Sequence, residues 1–171
     1  MRAGGDLALL IGTPMGQGRA WTRPFELLRE LVGAILTFPS PADALEGFFS
    51  HAETLRSSRR VLLVVDQRGS AEIRWTWVSL LAHLEFGPLI LLVDELDPDL
   101  ERRARATGVL RCLEERHLAR HPGLLVRAAR RALERGRQLA ERAITAYTAG
   151  GQQVRACRRP RIGGRLGAGR D

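Results

Sequence analysis

Residues 61–70 read VLLVVDQRGS: five apolar residues run straight into an acid, and the chain then turns polar. A short, continuously apolar run suits a strand buried on both faces. Val61, Val64 and Val65 favour extended backbone. The same kind of run returns at LALLIG (7–12), GAILTF (33–38), PLILLV (88–93) and, shorter, VLRCL (109–113). Five buried strands set apart by long polar intervals leave few folds open.

The intervals carry helical signals. Phe25, Leu28 and Val32 are at helical spacing, which predicts a helix around Pro24 to Leu31. Ser40 reads as an N-cap, with Pro41 at the first helical position and Asp43 completing a box-like pattern. The helix predicted there runs 41–56 and carries Leu45, Phe48, Phe49 and Leu55. A third helix is expected from about Ala71 to Leu84, with Trp75, Val78, Leu81 and Ala82 on one side. Asp97-Pro98-Asp99 opens a fourth, which ends at Gly108. After Pro122-Gly123 a long helix is expected to about Thr148. Five β-α units with crossover helices predict an α/β fold, a doubly wound five-stranded parallel sheet with an extended C-terminal helix. The organisation expected is an α/β core over 1–122, the long helix over 123–149, and a basic disordered tail over 150–171, rich in Gly and Arg.

Composition narrows the function classes. The chain has 171 residues, 44% of them hydrophobic, enough for one domain with a substantial core. No apolar run reaches the roughly 18 residues that span a bilayer. Asp6 and the Gly-Thr-Pro break make the N-terminus a poor signal peptide, so the expectation is a cytoplasmic protein without membrane contact. Two cysteines occur, Cys112 in an apolar context and Cys157 among arginines, and neither has zinc-ligand spacing with a His or Cys. All 27 basic residues are Arg. Schiff-base and P-loop lysine chemistry are therefore excluded. The charge is lopsided: residues 1–100 hold 9 Arg and 13 acids, a net of −4, and residues 101–171 hold 18 Arg and 6 acids, a net of +12. An excess of that size points to an acidic or nucleic-acid partner for the C-terminal third.

Five β-α units in about 145 residues, with a lone Asp ending strand three, resemble the receiver domain of bacterial response regulators. PLILLVDELDPDLERRARATGVLRCL resembles its fourth strand, fourth helix and fifth strand, and LLVRAARRALERG its fifth helix. The resemblance covers roughly residues 6–136 and implies a flavodoxin-like sheet of order 2-1-3-4-5. Working receivers bind magnesium with two adjacent acids after strand one and phosphorylate an Asp after strand three. A Thr or Ser after strand four and a Lys after strand five contact the phosphoryl group. Carried over, Asp66 matches the phosphoacceptor. The acidic pair falls on Gly12 and Thr13, and the hydroxyl on Val93, or on Asp94 if the register slips by one. The lysine falls on Glu114, the proline after it on Glu115, and the aromatic switch on or near Arg111. A metal pair replaced by Gly and Thr, with an acid where a cation belongs, leaves phosphoryl charge unneutralised. The resemblance thus implies a degenerate pseudo-receiver with no metal and no cofactor. Asp66 is then a remnant, a strand-end acid that caps a turn or meets an Arg.

Other features have bland and sharp readings. Asp94, Glu95, Asp97 and Asp99 read as a helix cap with solvated neighbours, or as an unusual cation site. IGTPMGQGR (11–19) reads as a flexible connection or as a phosphate-cradling loop; it matches neither GxxxxGK[ST] nor GxGxxG. His51, His83, His117 and His121 form no triad pattern. Trp75 reads as core and Trp77 as a candidate partner surface. Leu125, Ala129, Ala132, Leu139, Ala143 and Tyr147 make a stripe close to coiled-coil spacing, a candidate homodimer seam. The tail RACRRPRIGGRLGAGRD holds six Arg and one Asp with no aromatic, so nucleic-acid binding through it would be unspecific and salt-sensitive. The function expected is non-enzymatic signalling in a two-component-type pathway, by contact with a sensor kinase or output protein. Arg102, Arg103, Arg105 and Arg111 are candidates for the contact face. A nucleic-acid-associated regulator is the alternative.

Overall fold

The computed structural model describes residues 5–12, 22–70, 72–84 and 86–135, all within one unit, Met1–Arg137. The chain alternates β1 (Asp6–Ile11), α1 (Thr22–Val32), β2 (Ala34–Phe38), α2 (Pro41–Ser50), α3 (Ala52–Ser57), β3 (Arg60–Asp66), α4 (Trp75–His83), β4 (Leu89–Val93), α5 (Pro98–Ala106), β5 (Arg111–Glu114) and α6 (Glu115–Arg120). A further helix, α7, is described over 123–135. The strands form one parallel sheet of order β2-β1-β3-β4-β5, as the resemblance implied.

Strand alternation explains the unbroken apolar runs. Leu7, Leu9, Ile11, Leu63, Val65, Leu89, Leu91 and Val93 face one core layer, which Ala44, Phe48, Val78, Leu81 and Ala104 of α2, α4 and α5 cover. Ala8, Leu10, Leu62, Val64, Ile90 and Leu92 face the other, covered by Leu28 of α1, Leu118 of α6 and Leu125, Ala129, Ala132 and Leu133 of α7. The described half of the candidate coiled-coil stripe is therefore intrachain core. Leu139, Ala143 and Tyr147, and the whole 150–171 tail, lie outside the described residues.

Helix starts follow local chemistry. Ser40 Oγ accepts from Asp43 N at 3.2 Å and donates to Asp43 Oδ2 at 2.6 Å. Asp97 Oδ1 accepts from Leu100 N at 2.7 Å. The expected 41–56 helix is two helices, because His51 leaves helical geometry (φ −110°, ψ 19°) and both its N–H and its ring Nδ1 turn back on Gly47 O, at 2.8 and 2.9 Å. The expected 71–84 helix starts only at Trp75. Gln67 Oε1 takes the Arg74 N–H at 3.2 Å, which ties the preceding loop to the end of β3. β5 runs two residues later at its start than expected, since Val109 N is still bonded to Ala104 O at 3.0 Å.

Candidate functional site

The carboxyl ends of parallel strands are where open α/β sheets place their chemistry. Asp66 ends β3 there and is 6% exposed. The chain turns sharply after it, and Arg68, two residues on, folds back over the strand end. Asp66 Oδ1 accepts from Arg68 N at 3.1 Å and from Arg68 Nε at 2.7 Å, while Oδ2 takes Arg68 Nη2. The Arg68 side chain is only 3% exposed. Its other terminal nitrogen, Nη1, lies 3.6 Å from Glu115 Oε1 at the start of α6. Burial pulls the Arg68 guanidinium below its ordinary pKa. The hydrogen bond and charge of Asp66, then the charges of Glu115 and Asp94, pull back. An arginine stays protonated under such opposition, so this is a fixed cation held in a buried site.

Position 12 directly follows β1 beside it. Gly12 has φ +108° and donates its N–H to Phe38 O at 3.0 Å. A Cβ at this position would lie 2.4 Å from Asp66 O. The backbone there has no room for any side chain, let alone a carboxylate. Thr13 and the following residues of the 11–19 loop lie outside the described residues. Val93 at the end of β4 is buried in the core layer under α2, α4 and α5, and offers no polar group. The next residue, Asp94, is exposed; its Oδ2 accepts the Gly69 N–H at 2.7 Å and so ties the loop after β3 to the end of β4.

Glu114, at the end of β5, is 3% exposed and turns to α6, the helix that follows it. Oε1 meets Arg116 Nε at 2.5 Å, and Oε2 lies 3.5 Å from His117 Nδ1. The acid that reaches the Asp66 cluster is Glu115, one residue later. Nothing in composition or periodicity pointed to Arg68 or Glu115 as site residues. The one available signal was the i, i+2 spacing of Asp66 and Arg68 just past a strand end.

The remaining candidates have structural duties. Asp97 caps α5 and Asp99 pairs with Arg102 at 2.8 Å. His51 returns to Gly47 O, and His83 Nδ1 lies 2.7 Å from Ser79 O. Trp75 and Trp77 are both half-buried. The four arginines of the expected contact face do not act as one group. Arg102 and Arg105 pair with Asp99 and Glu101 of their own helix, at 2.8 and 2.7 Å. Arg103 stacks over the Trp75 ring, 4.8 Å from its centre. Arg111, by alternation with Cys112, points to the opposite side of the sheet from α5.

The divalent cation that a receiver fold implies does not fit this donor set. Gly12 supplies no ligand and admits none, and both oxygens of Asp66 are occupied by Arg68. Among the described residues, no three His, Cys, Asp or Glu side chains converge as ligands.

No protein-family model matches the sequence, and no curated protein matches it. Solved structures do match. The signal receiver domain of an HD domain-containing protein from Pseudomonas fluorescens Pf-5 is 20% identical, with a TM-score of 0.57 over 78% of this chain and 98% of that one. The Vibrio cholerae chemotaxis protein CheY4 is 15% identical, with a TM-score of 0.56 over 76% of this chain and 100% of that one. The isolated REC domain of RcsB from Salmonella enterica serovar Typhimurium is 12% identical, with a TM-score of 0.52 over 78% of this chain and 90% of that one. At these identities the likeness is one of fold: the chain has the fold of a response-regulator receiver domain.

Proposed function

We propose that this chain is a receiver-like regulatory protein of a two-component-type pathway that works by protein contact and not by phosphorylation of Asp66. It catalyses no reaction and needs no cofactor. The observation that supports this reading is the buried Arg68 guanidinium on both oxygens of Asp66. A carboxylate that attacks an acyl phosphate must present a free oxygen, and the charge it gathers must be neutralised from outside. Here the neutralising cation is already part of the chain and occupies the attacking atoms. Glu115 adds a second negative charge beside it.

Freeing Asp66 means breaking a buried, hydrogen-bonded pair, at a cost of about 3–5 kcal/mol. Added to a barrier, that slows attack by a factor of about a hundred to a few thousand. The partner surface proposed is the outer side of α5, where Arg102 and Arg105 are exposed; Arg111, on the other side of β5, lies outside it. A sensor kinase or output protein is the class of partner.

The test is incubation with magnesium and a small acyl phosphate, followed by intact mass, next to an active receiver as control. The expected mass is unchanged. An added phosphoryl group that disappears in Asp66→Asn would overturn the proposal.

A further inference from the structure

Two of the three helices on the far side of the sheet from α4 and α5, α6 and α7, present a basic surface. Of the ten exposed residues between 116 and 135, six are Arg, two are His, one is Ala and one is Glu. Leu125, Ala129, Ala132 and Leu133 fix the core side of α7. At 100° per residue, positions 127, 130, 131 and 134 fall opposite. Three of those four are Arg, and the fourth, Glu134, acts on Arg60. Arg127 stands three residues before Arg130 and four before Arg131, so their Cβ atoms are about 5–6 Å apart. Neither these three nor Arg120 on α6 has an ion-pair partner among the described residues. On α5 the arrangement is the reverse, with Arg102 and Arg105 each matched to an acid of the same helix.

An unmatched row of like charges destabilises its own helix slightly and gains from an external anion. The chemistry of that anion follows from what the surface lacks. The exposed large hydrophobic side chains, Phe49, Leu80 and Phe86, lie on α2, on α4 and just after α4, across the sheet. Contact with a protein wants a desolvated, apolar centre. A sugar–phosphate backbone wants none, and the planar fork of Arg pairs with phosphate through two hydrogen bonds. No Phe, Tyr or Trp lies between 116 and 135, so the surface lacks the large aromatic platforms on which single-strand binders stack successive bases.

We infer that the outer face of α7, through Arg127, Arg130 and Arg131, binds the phosphate backbone of a nucleic-acid duplex without reading its sequence. This surface is separate from the Asp66 cluster, and the inference stands whether or not Asp66 can be phosphorylated.

The test uses the full chain and a short fluorescent DNA duplex of arbitrary sequence, with binding followed by anisotropy from about 50 to about 200 mM salt. Three phosphate contacts weaken binding about fortyfold over that range, a slope of about −2.7 in log affinity against log salt. The variant Arg127→Gln/Arg130→Gln/Arg131→Gln should lose about that slope and bind about tenfold or more weakly at low salt. Gln keeps helix propensity, and an unchanged melting curve separates lost contact from lost fold. Arg102→Gln/Arg105→Gln should leave the slope alone. Three results would overturn the inference: no binding at the lowest salt; a slope untouched by the α7 variant but abolished when the six arginines of 155–171 become Ser; or polyglutamate bound as tightly as the duplex.

Discussion

Arg68 is the residue on which the site turns. Its guanidinium is buried, its partners are acids, and removing it leaves Asp66 as an uncompensated buried charge. Arg68→Ala is therefore expected to cost about 3–5 kcal/mol in a denaturant titration. Asp66→Leu/Arg68→Met removes both charges and should recover much of the loss; a double variant as unstable as the single one would mean the pair is not the source. Cys112 behaves differently. Burial, helped by Glu101, pushes its thiol from 9.0 up to about 11. The folded chain thus holds this proton more tightly than the unfolded one. That contribution to stability is complete below about pH 9 and is lost as the pH rises through about 11. In a Cys157→Ser background at pH 8, the native thiolate fraction is about a hundredfold smaller than the unfolded one, and alkylation should slow accordingly. Equal rates in buffer and in denaturant would contradict the burial. Asp66 was legible from the sequence because it ends an apolar run, and Cys112 because it lies in one. Arg68 gains its role from a turn that no periodicity encodes, and Glu115 from the placement of a helix start.

Among the elements, what could be read depended on whether the signal was local. Strands buried on both faces are written as unbroken apolar runs, and the caps Ser40 and Asp97 as side chains beside a proline. The break at His51 depends on a ring returning to a carbonyl four residues back. The short α6 has one buried anchor, Leu118, so no periodic pattern announces it. The register of β3 and β4 adds a constraint that the sequence hides. At Gly87, two residues ahead of β4, an added Cβ would sit 1.9 Å from Val61 O. The obstacle is backbone at the edge of a central strand, which cannot swing aside as a side chain can. Gly87→Ala should cost about 1–3 kcal/mol through a forced shift of the strand. Arg102→Ala, which removes an exposed ion pair on α5, should stay within about 0.5 kcal/mol. If the two variants melted alike, the close approach of Gly87 to β3 would be wrong.

For the molecule as a whole, the question is whether a single state is held. The ends of three adjacent strands are tied together. Arg68 joins Asp66 of β3 to Glu115, next to β5, and Asp94 after β4 holds the Gly69 amide. Both ties use charged or buried groups, and both cross the face where a receiver fold takes up its phosphoryl group. A ligand shifts a conformational equilibrium only by its difference in affinity for the two states. A phosphoryl mimic could favour a second state here only by displacing Arg68, at the cost of stranding a buried cation. Magnesium with beryllofluoride is therefore expected to leave the melting temperature where it was. A mimic that did bind, at a hundred times its dissociation constant, would add about 2.7 kcal/mol, or roughly 5–10 °C for a chain of this size. A rise of that order in the native protein would mean that Arg68 yields and the strand ends are not locked. A rise seen only in Arg68→Ala would place the lock in that one side chain, since Gly12 and Glu115 are unchanged in both proteins.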